Sequence, residues 1–104
     1  MGKYKLIVSD LAKRDLLNTA SYIKYNLQEP ATAERITGTI LDAIATLEDM
    51  PSRVRIVNDE RLAKKEIRGL YVKNYTVFFR IDESSKIVEV LRVQYSRRDW
   101  SALL

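Results

Sequence analysis

The 104-residue chain predicts a two-layer α+β domain. Two stretches carry apolar residues at helical spacing, two later stretches read as strands, one by alternation and one by its Val, Ile and Leu content, and short connections hold each pair together. The expected order is an N-terminal strand, an antiparallel two-helix hairpin, a mostly antiparallel sheet of three to four strands and a short C-terminal helical turn. Residues 1–104 make one domain, because a chain of this length supports one modest core.

Tyr4 to Val8 reads as a short apolar strand. Ser9 is a suitable N-cap for a helix opening at Asp10, whose charge suits a helix N-terminus. Ala12, Leu16, Ala20, Ile23 and Leu27 then fall on one face, with Lys13, Arg14, Asn18, Ser21 and Lys24 opposite. Gln28-Glu29-Pro30 ends this helix and opens a second, since proline is tolerated in a first helical turn. Ala33, Ile36, Ile40, Ile44 and Leu47 form its apolar side, and Met50-Pro51 stops it. Between 52 and 73 the pattern weakens. Arg53–Val57 reads as a short strand or extended arm, Asn58-Asp59-Glu60 as a turn, and Lys64–Arg68 as a charged edge strand closed by Gly69.

The strongest signal lies between Tyr71 and Trp100. Tyr75, Val77, Phe79 and Ile81 alternate with Asn74, Thr76, Phe78 and Arg80, and Phe78 implies that the second face is also partly covered. Asp82–Lys86 supplies a polar turn, and Ile87–Val93 returns as a central strand. Pairing about that turn sets Ile81 near Ile87, Val77 near Leu91 and Tyr75 near Val93. That register places Arg80 and Arg92, with Val88 and Val90, on the face turned from the helices.

Composition narrows the chemistry. The sequence has no Cys and no His, so a disulfide framework, thiol chemistry and the usual neutral-pH base and metal ligand are excluded, and neither a metal nor a cofactor is expected. A net charge of +4 suits nucleic acid or an acidic protein. No stretch approaches membrane-spanning length, and a cytoplasmic protein is expected. Cations converge on the sheet: Lys64, Lys65, Arg68, Arg80 and Arg92, with Arg97 and Arg98 beyond the last strand beside Tyr95. Arginine offers a fork for phosphate or carboxylate, and a tyrosine or lysine could share the proton transfers of RNA cleavage without His or metal. The same charges also suit a plain solvated face, and Tyr95 and Trp100 a pair of core anchors.

The chain as a whole, Tyr4 to Leu104, resembles the RelE/ParE superfamily of type II toxin–antitoxin toxins. The resemblance rests on Ser9–Asp15 with Ala12, Asp15 and Leu16 in an A-x-x-D-L pattern, on Tyr22-Ile23 and Tyr25, and on Pro30-x-x-Ala33. It continues through Leu47–Pro51 and Asn74–Arg80 to Val90–Val93, and closes on Tyr95-Ser96-Arg97-Arg98-Asp99-Trp100 with Leu103-Leu104, similar to H-x-R-R-D-x-x-x-L-L. It implies a growth-inhibiting toxin neutralised by an antitoxin encoded in an adjacent gene. RelE-like members cleave mRNA on the ribosome and ParE-like members poison DNA gyrase. For the nuclease branch, a metal-independent mRNA endoribonuclease, Tyr95, Arg80 and Arg98 are the implied catalytic residues, and Lys64, Lys65, Arg68, Arg92 and Arg97 the target contacts. Thr76 stands where RelE types carry an arginine, and Tyr95 where the closing pattern has His. A reading of a different class is a non-catalytic basic module that binds an acidic protein or RNA.

Overall fold

The computed structural model describes residues 3–96. The elements run β1 (Lys5–Val8), α1 (Asp10–Ser21), a π-helical turn (Tyr22–Asn26), α2 (Pro30–Ala45), two 3₁₀ turns (Thr46–Glu48 and Pro51–Arg53), α3 (Glu60–Lys64), β2 (Arg68–Val72), β3 (Tyr75–Asp82) and β4 (Ile87–Tyr95). The four strands form one sheet in the order β1-β4-β3-β2. β1 runs parallel to β4, and the other neighbours pair antiparallel. This is the two-layer α+β arrangement expected from the sequence, and the C-terminal turn expected at 101–104 lies outside the described residues.

Ser9 caps α1 as expected: its hydroxyl accepts from the Ala12 amide at 3.0 Å and donates to the Leu91 carbonyl at 2.8 Å, which also ties the helix start to β4. Ala12 and Leu16 of α1 and Ile40 and Ile44 of α2 bury against Val77 and Phe79 of β3 and Val88, Val90 and Val93 of β4. That is the main core, and it needs both apolar stripes that the helices carry. Leu27, expected on the α1 stripe, is instead 49% exposed, because the π-helical turn breaks the helical register before it. On α2 the Thr37 hydroxyl oxygen is buried with no hydrogen-bond partner. Thr37→Val is therefore expected to raise stability by about 1 kcal/mol, seen as a higher denaturation midpoint.

The register of the β3–β4 hairpin corrects the sequence expectation. Ile81 pairs with Val88, Val77 with Val93 and Tyr75 with Tyr95. Asp82 itself pairs with Ile87, and its carboxylate accepts from the Ser84 hydroxyl at 2.7 Å and the Ser85 amide at 3.3 Å, so the turn is one residue tighter than expected. A one-residue slip carries every side chain of a strand to the other face. Val88 and Val90 therefore join the helix-side core, and Leu91 turns away from it. A bulge between Phe78 and Phe79 adds a second slip. Beyond it Arg92 reaches α1, so Arg80 and Arg92 do not share a face.

The far face is covered, as Phe78 implied, but by elements the sequence did not disclose. Phe78 and Leu91 pack with Val57, Leu62 and Ile67 in a second, smaller core. The segment read as a turn and an edge strand is a short helix: Asp59 caps α3 by accepting from the Arg61 and Leu62 amides, and the edge strand begins only at Arg68. Arg53–Val57 is in part a 3₁₀ turn and in part an extended arm whose Ile56 bridges Arg68. Gly69 sits inside β2, where a Cβ would lie 2.9 Å from Val57 Cγ1 and 3.2 Å from Thr76 Cγ2. Gly69→Ala is expected to cost about 1–3 kcal/mol by forcing the arm off the sheet, measured as a drop in denaturation midpoint.

Candidate functional site

β4 ends at Tyr95, opposite Tyr75 on β3, and the two rings meet edge to face at 5.6 Å. The π-helical turn faces them across a gap. Its Tyr22 carbonyl accepts from the Leu27 amide at 3.2 Å, and this wider turn brings Tyr22 and Leu27 towards the sheet end. Between turn, α2 and sheet lies a cleft of about 1090 Å³. Its apolar lining comes from Ile23, Leu27, Ile36 and Val93, and its aromatic lining from Tyr22, Tyr75 and Tyr95. Tyr22 is 55% and Tyr95 41% exposed, so the rings are available to a partner. Burial raises the pKa of the Tyr75 hydroxyl, and the neighbouring Tyr95 and Tyr22 add to the shift. Tyr75 is thus a neutral donor at any physiological pH.

Two charged residues line the cleft among the described residues, and they neutralise each other. Arg92 donates from Nε and Nη2 to the two carboxylate oxygens of Asp15, at 2.8 and 3.0 Å, and the Val93 amide adds a third bond at 2.9 Å. Such a fork-to-carboxylate pair leaves little guanidinium free for a ligand. Burial raises the Asp15 pKa, but the bonds from Arg92, Val93 and Gln94 outweigh it and hold the carboxyl below its ordinary value. Sequence reasoning quoted Asp15 only as part of a pattern. The signal that would have found it is an acidic residue three positions after buried Ala12 and directly before Leu16, on the edge of an apolar stripe.

The structure brings few of the expected site residues together. Tyr95 is at the cleft. Arg92 lines it with its charge already matched. Arg80 lies on the opposite face of the sheet, five residues along β3 from Tyr75, which is about 17 Å at strand spacing. There it stands 3.9 Å from Glu89, and with Lys65 it lines a second hollow of about 670 Å³ that also holds Glu66, Asp82 and Glu83. Four carboxylates against two cations make that hollow unfavourable to an anion. Arg68 is tied to backbone, donating from Nη1 to the Ser52 and Val54 carbonyls at 3.2 and 2.6 Å. Lys64 is exposed at the end of α3 and Lys65 beside it. Arg97 and Arg98 lie outside the described residues. The expected basic corner around Tyr95 is therefore not formed by Arg80, Arg92 or Arg68: register puts Arg80 on the other face, Asp15 neutralises Arg92, and backbone carbonyls hold Arg68.

The family model for the ParE toxin of type II toxin–antitoxin systems, parDE, matches residues 6–100. The chain belongs to this family. As a ParE-family toxin it carries the RelE/ParE-like fold, and solved structures share it, among them three toxin–antitoxin proteins. A chromosomal ParDE system from P. aeruginosa superposes with a TM-score of 0.75 at 18% identity, covering 89% of this chain and 96% of that one. The RelBE2 toxin–antitoxin complex of Mycobacterium tuberculosis gives 0.65 at 24% identity, with coverage of 89% and 98%. An archaeal RelE–RelB complex from Pyrococcus horikoshii gives 0.54 at 12% identity, with coverage of 92% and 98%. At these identities the likeness is one of fold. No curated protein shows significant sequence similarity to the chain. Among the described residues of this toxin, no helix is long and apolar enough to cross a membrane.

Proposed function

We propose that this ParE-family toxin acts on a protein, DNA gyrase, by seating an apolar stretch of it in the tyrosine cleft, and that a cognate antitoxin from an adjacent gene neutralises it. The observation that carries the reading is the closed Asp15–Arg92 pair, which leaves the described lining of the cleft beside Tyr95 neutral and aromatic. Surfaces rich in tyrosine and poor in free charge suit protein contacts, where a buried ring contributes much of the binding energy. Stabilising a phosphorane would require cations aimed at the reacting phosphate, and Arg80 points from the other face of the sheet. The structural neighbours include toxin–antitoxin complexes, which supports the antitoxin as partner.

A ribosome-dependent nuclease is the second reading, favoured by Tyr95 at the position of the closing motif's histidine. A gyrase supercoiling assay beside in-vitro translation with primer extension separates the two. Inhibited supercoiling with intact mRNA is expected, and new mRNA ends with normal supercoiling would overturn the gyrase reading. Tyr95→Phe sharpens the comparison: a ring contact survives loss of the hydroxyl with activity within about threefold, whereas proton transfer by Tyr95 would lose about 100-fold or more.

A further inference from the structure

Arg92 is a paradox if it is read as a ligand contact. It lines the cleft that holds Tyr22, Tyr75 and Tyr95, yet both of its carboxylate-facing nitrogens are spent on Asp15, 77 residues earlier in the chain. The Asp15 carboxylate is equally committed, since the Val93 amide also donates to it. The remaining polar lining, including Asn18, Asn74 and Gln94, carries no charge. A cleft of this kind can hold aliphatic or aromatic side chains against Tyr22, Leu27 and Val93, and among the described residues its lining offers no free cation to balance a phosphate. Were Asp15 uncharged, the same cleft would present a guanidinium beside two tyrosine rings, the combination that single-stranded nucleic acid favours.

We propose that Asp15 is the residue that sets the ligand class of the cleft: by holding Arg92 it admits an uncharged, apolar segment of a protein partner and turns away the phosphate backbone of a nucleic acid. This rests on the protein-target reading above, and it assigns to Asp15 a positioning role that acts through Arg92. A purely structural Asp15 would alter stability alone. A residue that sets specificity also alters which ligand binds, and in a predictable direction.

The test measures binding of a fluorescein-labelled single-stranded RNA by anisotropy over a salt series. The variants are Asp15→Asn and Asp15→Asn/Arg92→Gln, with folding checked by thermal melting. Asparagine keeps an acceptor for the Val93 amide while removing the charge. Asp15→Asn is expected to bind the RNA about tenfold more tightly than wild type at low salt. The slope of log affinity against log salt should steepen by about 0.7, the value for one added phosphate contact. The double variant should return to wild-type affinity and slope. A folded Asp15→Asn chain that matches wild type, or a gain that persists in the double variant, would overturn the proposal while leaving the protein-target reading intact. Wild-type RNA binding that Tyr95→Ala abolishes would instead overturn that reading. A second measurement does not depend on any variant folding. In the wild-type chain, inorganic phosphate should leave the Arg92 Nε–H resonance unmoved, and a saturable shift would show Arg92 free to bind and overturn the proposal.

Discussion

Asp15→Ala is expected to destabilise the fold by about 3 kcal/mol, a fall of roughly 15 °C in melting temperature for a domain of this size. The substitution strands several donors at once. Arg92 keeps its charge, with 16% of its side chain exposed, and the buried Val93 amide loses its acceptor. Removing one member of a largely buried ion pair costs more than the pair contributes, because the survivor is left without compensation. It follows that Asp15→Asn should cost less, about 1 kcal/mol, since the amide oxygen still accepts. Asp15→Ala/Arg92→Met should recover much of the loss, because both charges are then gone. The sign of the pH dependence is fixed by the same bonds. The folded carboxyl has its pKa lowered from 3.8: burial alone raises it, and the bonds from Arg92, Val93 and Gln94 prevail. Its stabilisation is therefore fully present above the unfolded value and is lost as pH falls through the folded value below it. Thermal melts of wild type and Asp15→Asn should converge as pH drops below about 4. Parallel curves down to strong acid would show that the pair contributes nothing.

Asp15 also marks where sequence reasoning stops. The helices were legible because local spacing is sufficient for them: Ala12 and Leu16 on α1, Ile23 in the π-helical turn that continues it, and Ala33, Ile40 and Ile44 on α2 all bury as their periods require. The hairpin was legible because Tyr75–Ile81 alternates around a polar turn. Its register was not, since one residue in the 82–87 turn and one bulge at Phe78 decide which face each β4 side chain takes, and both depend on backbone geometry rather than pattern. The expectation that Arg80 and Arg92 share a basic face failed on those two steps. Charge is visible in a sequence and its partner is not: Asp15 and Arg92 meet across 77 residues, and Arg68 is spent on carbonyls of Ser52 and Val54. α3 escaped notice for the opposite reason. Its one turn carries a single buried apolar residue, Leu62, and a cap at Asp59, too little to register as a period.

Phe78→Ala is expected to cost about 3–4 kcal/mol and to release the arm and α3 before the rest of the domain. Phe78 is fully buried, but its core is small: Val57, Leu62 and Ile67, with Leu91 partly covered, share it. Few backbone bonds hold this layer otherwise, chiefly Val57 to the Ile67 carbonyl at 3.0 Å and Gly69 to the Arg55 carbonyl at 3.3 Å. A cavity of phenylalanine size in so thin a layer cannot be filled by collapse without drawing the arm inward, where Gly69 already leaves no room. Opening the layer is then the easier response, and amide exchange should accelerate first across residues 57–67. Phe79→Ala provides the contrast. Phe79 is equally buried but belongs to the main core, so its loss should lower protection throughout α1, α2 and the sheet together. The tyrosine cleft lies on the helix side, away from Phe78. Phe78→Ala should therefore keep its activity per folded molecule at temperatures where the main core holds. A Phe78→Ala chain that stayed folded yet lost activity would mean that the far face, with Lys64 and Lys65, takes part in target binding.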